Sequence, residues 1–144
     1  MNEQIQKNII KLVKESRDAI VCSIDANGFP NAKAMFISKT EGIHTLWFST
    51  NVSAKRTQQW IEESKACIYI LDSNKIHGLM LVGNMKVCTD EETKREFWRQ
   101  GDERYYPLGP TDPDYCMIQF IAKDGRYWEN QNYDLDIEMI KNIK

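Results

Sequence analysis

Ser49, Thr50, Ser53, Lys55 and Arg56 lie close together in the stretch WFSTNVSAKRTQQW, which begins at Trp47. Hydroxyls and cations at this density suit charge-assisted hydrogen bonding to a phosphate. A segment that only reversed the chain would more often carry Gly, Pro or Asn-Gly. The stretch opens as an apolar strand and ends with Trp60 and Ile61 at helical spacing, so Ser53 stands where a helix N-cap belongs. A helix start adds free backbone N–H groups to the same corner. The same residues also suit an ordinary capped helix with two solvated bases, and a second element is needed to choose.

The strand before it, in GFPNAKAMF, places Lys33 and Met35 two residues apart and therefore on one face. A lysine in the middle of so apolar a strand needs a partner or an exit to solvent. No other chemistry competes. Cys22, Cys67, Cys88 and Cys116 each sit alone in or beside an apolar run, at neither metal nor redox spacing, and read as small core residues. His44 and His77 are isolated, so no metal site is expected, and neither a Gly-rich phosphate loop nor a nucleophile elbow is present.

The chain's 19 basic and 21 acidic residues give a net charge of -2. That balance lacks the concentrated basic surface of a nucleic-acid binder. The polar N-terminus MNEQIQKN has no long apolar run behind it, and no stretch is long enough to span a bilayer, so a cytoplasmic protein with no membrane partner is expected. A length of 144 residues suits one domain, 1–144, with a real core.

Short elements must position the candidate residues. Residues 4–16 show a helical apolar face at Ile5, Ile9, Leu12 and Val13. Asp18–Ile24 and Pro30–Ser38 read as a hairpin around Asn27-Gly28, and a reversal at Thr40-Glu41-Gly42 leads into IHTLWFST, making a three-strand meander. Further strands are expected at Ala66–Asp72 and Leu79–Cys88, with a bulge or close backbone approach at Gly83. Asp90 caps a helix, and the proline-bounded stretch 101–114 reads as a loop over the cleft or a long connection, with Asp112 and Asp114 as turn residues. A strand at 115–122, a turn at KDGR, a short strand at RYWEN and a closing helix complete the chain. Trp60, Phe97 and Trp98 read as packing residues. The expected class is mainly β: six or seven mostly antiparallel strands in a small barrel with peripheral helices.

The order Gly28, Pro30, Lys33, Met35, then W-F-S-T-N-x-S-x-K, then Val82-Gly83, resembles the pyridoxamine 5'-phosphate oxidase-like flavoproteins. The stretches DEETKREFW and YYPLGPTDPDY and the pair Tyr127-Trp128 resemble their general stress protein 26-like branch, so that the likeness runs over roughly residues 5 to 129. The resemblance implies an FMN-binding split barrel working as a homodimer, with FMN between the subunits. By position, Lys33, Ser53 and Lys55 would hold the phosphate with Arg56 adjacent, and Ser49 and Thr50 would line the phosphate and ribityl side. Ala34, Met35 and Phe36 would run beside the ring, and Trp128 would approach from the partner subunit. An FMN-dependent oxidoreductase of unknown donor and acceptor is implied; a flavin-binding stress protein without turnover is the alternative.

Three departures qualify the resemblance. Lys33 replaces a common Arg and loses its bidentate fork. Gly78 stands where true oxidases carry a Gln near the ring. After Trp128 the chain reads ENQNYDLDIE, where true oxidases have a basic, histidine-bearing segment for the substrate's phosphate. Pyridoxamine phosphate is therefore not the expected substrate.

Overall fold

The computed structural model describes residues 1–144. Helix α1 (Glu3–Glu15) buries Ile5, Ile9 and Val13, and the Asn2 side chain accepts from the Ile5 N–H to cap it. Strands β1 (Asp18–Ile24) and β2 (Pro30–Phe36) form the expected hairpin. The Asp25 carboxylate accepts from the Asn27 and Phe29 N–H groups, and Gly28 takes the positive φ of 83° that the turn requires. Then come β3 (Lys39–Glu41), β4 (Thr45–Asn51), α2 (Lys55–Glu62), β5 (Lys65–Asp72) and β6 (His77–Cys88). Helix α3 (Glu91–Phe97), β7 (Tyr115–Trp128), β8 (Asn132–Leu135) and α4 (Ile137–Asn142) complete the order.

All eight strands join one antiparallel sheet in the order β2-β1-β5-β6-β7-β4-β3, with β8 added to β7. The sheet curls into a half-barrel that brings β2 close to β4 without pairing them. This is the split-barrel architecture. The expected meander is thus corrected: β4 pairs with β3 and β7, not with β2. The reason is the core. Leu46 and Phe48 alternate inward and are wholly buried, and pairing along β7 lets them meet Ile118 and Phe120 on the same inner face. Burial of each such side chain contributes about 1.5–3 kcal/mol.

The expected turn at KDGR is also corrected. Residues 115–128 are one strand, and the irregularity there is a bulge opposite Val82/Gly83. Gly83 explains it, because a Cβ on that residue would lie 2.0 Å from the Ile121 carbonyl oxygen. The count of strands rises to eight because β3 and β8 are too short to stand out from their turns. A second, smaller core gathers Cys88, Phe97, Tyr106, Tyr115 and Met117, with Trp47 and Trp98 against it. It holds the 101–114 stretch, which contains two short 3₁₀ turns where a plain loop was expected. Buried Lys94 donates to the Asp112 carbonyl at 2.9 Å, tying α3 to this segment.

Candidate functional site

As the last strand of the sheet, β2 leaves one side of its backbone unpaired, facing the gap to β4. Two adjoining hollows follow it. The first, about 160 Å³, is lined by Val21, Ser23, Asn31, Lys33, Lys55, Arg56 and Gln59 among others. The second, about 220 Å³, is lined by Asp18, Ala34, Met35, Phe36, Ser49 and Arg56. Arg56 belongs to both and marks their junction. Helix α2 positions it: Trp60 is buried and its indole N–H donates to the Cys22 carbonyl at 3.3 Å, while the Thr57 hydroxyl donates to the Asn51 carbonyl at 2.7 Å. The Gln59 side chain accepts from the Ser23 hydroxyl, so α2 is fastened to β1 beside the cleft.

The electrostatics of the first hollow are one-sided. Lys33, Lys55 and Arg56 converge there, and none of them has a carboxylate partner. Arg56 Nη2 donates to Thr50 Oγ1, but its Nε is the one buried side-chain nitrogen or oxygen in the chain with no hydrogen-bond partner. Burial lowers the Arg56 pKa from its ordinary value, with smaller opposing effects from Tyr106 and Cys116. Burial pushes the Tyr106 phenol up to about 12, which keeps it neutral.

The N-terminus of α2 is open as well. Ser53 does not cap it, contrary to expectation. Ala54 occupies the cap position with no side-chain bond, whereas Asn2, Asp90 and Asp136 cap the other helices. Ser53 is drawn away by a charged acceptor: its N–H and hydroxyl donate to the Asp114 carboxylate at 2.9 and 3.1 Å, and Asn51 donates to the same group at 2.7 Å. Those bonds hold the Asp114 pKa below the ordinary carboxylate value, with Asn51 the largest contributor.

Of the sequence-predicted residues, the cleft gathers Lys33, Ala34, Met35, Phe36, Ser49, Lys55 and Arg56. It does not gather Ser53, nor Thr50, which is buried and braces Arg56 from behind. Trp128 lies on the outer face of β7, opposite Gly78, away from the cleft. Sequence reasoning did not single out Ser23, Asn31 and Gln59, which also line the first hollow. Gln59 could have been found, since it follows Lys55 by four residues and Arg56 by three on one helical face. Cys22 and Cys67, expected in the core, are only half-buried. No helix is long and apolar enough to cross a membrane.

Comparison with known proteins matches the chain to a family. The family model described as "Pyridoxamine 5'-phosphate oxidase like" matches residues 3–143. A crystal structure of a protein related to general stress protein 26 of Bacillus subtilis, from Clostridium acetobutylicum, is 37% identical with a TM-score of 0.87, covering 97% of this chain and 99% of that one. General stress protein 26 from Bacillus anthracis has a TM-score of 0.73 at 17% identity, over 92% of this chain and 99% of that one. A heme binding protein from Mycobacterium smegmatis shares the fold at a TM-score of 0.73 and 10% identity, over 99% of this chain and 62% of that one. No curated protein matches the chain. The family match over nearly the whole sequence and the close likeness to the Clostridium protein show that this chain belongs to the pyridoxamine 5'-phosphate oxidase-like family.

Proposed function

We propose that the cleft along β2 binds FMN, with the phosphate at Lys33, Lys55 and Arg56 and the flavin ring beside Ala34, Met35 and Phe36. The observation that carries this reading is Arg56, a half-buried guanidinium with an unpartnered Nε and no carboxylate in contact. Removing such a cation from water costs free energy that a phosphate dianion would offset. The uncapped α2 start and the two neighbouring lysines add donors at the same place. Beyond Arg56 the lining turns apolar, and the unpaired edge of β2 supplies backbone donors and acceptors for a heteroaromatic rim. Bound there, FMN would supply hydride and one-electron redox chemistry. The chain's own residues bind the phosphate, orient the ring and shield one of its faces with β2.

The test is a visible absorption spectrum of the protein after incubation with excess FMN and removal of the unbound cofactor. Flavin bands at close to one cofactor per chain are expected; absence of any titratable binding would overturn the reading. Haem is less well served, because the His44 ring is bonded to Thr45 and the His77 ring lies beside Glu129, and neither lines the cleft.

The reaction class that follows is an FMN-dependent oxidoreductase of the general stress protein type. A second reading, a flavin-binding stress protein without turnover, is favoured by one feature: Asp18 is the only ionisable group along the cleft besides the three cations. Reduction by a nicotinamide followed by multiple turnovers would decide for the enzyme, and a bound but inert flavin for the alternative. Pyridoxamine phosphate is not the substrate on either reading. The segment after Trp128 begins with Glu129, which accepts from Asn8 and Tyr127, and has no cation as far as Asp136. Its oxidation by the flavin-loaded protein would refute that exclusion.

The reading includes a homodimer with FMN between subunits. Leu71 and Trp128 are exposed on the outer face of the sheet, either side of Gly78, an apolar surface that a second copy would cover. Four unpaired cysteines suit a reducing compartment, and we place the protein in the cytoplasm.

A further inference from the structure

Cys22 on β1 and Cys67 on β5 stand directly opposite each other in the antiparallel register. Opposed residues in such a ladder have Cα atoms about 4.5 or about 5.5 Å apart, depending on the type of rung. Both values fall within the roughly 4.4–6.8 Å that a disulfide spans. The two thiols are half-exposed and line an open hollow of about 480 Å³ on the outer face of the sheet. Lys65 and Lys123 border this hollow, and no carboxylate does. Cys88 and Cys116 are buried in separate cores.

We propose that Cys22 and Cys67 are a redox-active pair that closes to an intramolecular disulfide between β1 and β5 when the protein meets a peroxide. Cys22 is the attacking group. Burial, reinforced by the neighbouring Cys22 thiol, pushes the Cys67 thiol up to about 11, which makes it a poor first nucleophile. In the first step the Cys22 thiolate sulfur attacks one peroxide oxygen, the O–O bond breaks, and the leaving oxygen takes up a proton to become water; Cys22 is then a sulfenic acid. In the second, the Cys67 sulfur attacks the Cys22 sulfur, loses its proton and expels the hydroxyl as water. Two thiols and one peroxide thus give one disulfide and two waters.

The linkage has a structural consequence. Val21 and Ser23, on either side of Cys22, line the hollow that also holds Lys33 and Arg56. A disulfide at Cys22 fixes that stretch of β1 to β5.

The proposal stands apart from the flavin reading, and its test needs no cofactor. Purified protein is titrated with hydrogen peroxide, quenched with an alkylating reagent and digested without reduction for mass spectrometry. A peptide pair joined through Cys22 and Cys67 and lacking two hydrogens is expected, with two thiols lost per chain, recovery by dithiothreitol, and Cys88 and Cys116 still alkylated. In Cys22→Ser the pair cannot form, and Cys67 should stay alkylated at the peroxide dose that closes it in the parent protein. The proposal fails if Cys22 and Cys67 go separately to sulfinic acids, if the crosslinks join different chains, or if Cys88 or Cys116 oxidises first.

Discussion

A guanidinium withdrawn from water without an anion raises the free energy of the protein that carries it, and an arriving anion lowers it again. Arg56 is in that position, since its Nε has no partner and its only side-chain bond is to Thr50. Function and stability should therefore separate at this residue. Arg56→Met keeps the volume and removes the charge, so FMN affinity should fall about 10- to 100-fold, the value of a lost bond to a charged group. The melting temperature of the protein without flavin should not fall appreciably, because the unsatisfied Nε leaves with the charge. Equilibrium titration paired with thermal melts checks both; a large loss of stability with unchanged affinity would make Arg56 structural. Asp114 is the opposite case, a carboxylate satisfied by Asn51 and Ser53. Its pKa is held below the ordinary value in the fold. Its stabilisation is therefore present above the unfolded carboxylate pKa of about 3.9 and is lost as pH falls through the folded value. Asp114→Asn should lower the melting temperature at pH 7, and the gap to the parent protein should narrow steadily on acidification below about pH 4. A gap that is constant with pH would show that charge at Asp114 is irrelevant.

Glycine placement carries the next scale, that of the elements. Gly83 and Gly78 both lie on β6, yet a Cβ at Gly83 would meet the Ile121 carbonyl oxygen at 2.0 Å, and one at Gly78 would meet the Tyr69 hydroxyl at 2.2 Å. Backbone cannot yield where the end of a side chain can. Gly83→Ala should cost at least the roughly 1–3 kcal/mol typical of overpacking, and Gly78→Ala markedly less; denaturant unfolding of the two variants would show the order, and equal losses would refute it. The Gly83 bulge was legible in the sequence because a glycine inside an apolar alternation has few other uses. Helix α1 and the hairpin around Asn27-Gly28 were legible for similar local reasons. The pairing of β4 with β7 was not, because register between distant strands depends on which inner faces meet, and adjacent strands in sequence suggest a meander by default. The turn expected at KDGR failed for the same reason: its Asp-Gly is a turn signal locally, but pairing with the long β6 carries the strand through it with only a bulge. At the site, the lysines and Arg56 were visible as charges, but the diversion of Ser53 to Asp114 depended on a contact 61 residues away.

At the scale of the whole molecule, the proposed dimer would complete the cleft along β2 with a second copy. Trp128 is 42% exposed and lies on the outer sheet face beside Gly78, where in the proposed dimer it would be free to reach the flavin of a second copy. If the proposed dimer is symmetric, each site would take its phosphate end from one subunit and its tryptophan from the other. Trp128→Ala should then weaken FMN binding up to about tenfold, the value of an aromatic contact, without loss of fold, and Arg56→Met should weaken it independently. Mixing the two variants after dissociation and reassociation gives a sharper result than either alone. In a heterodimer one site combines both defects, while the other joins an intact Arg56 to an intact Trp128. High-affinity binding should therefore reappear at one FMN per heterodimer, measured by titration of the purified mixed species. If both residues served the same subunit's site, every site in the mixture would keep one defect and no high-affinity component would return. That outcome would put Trp128 in the same chain's site as Arg56 and refute a site shared between subunits.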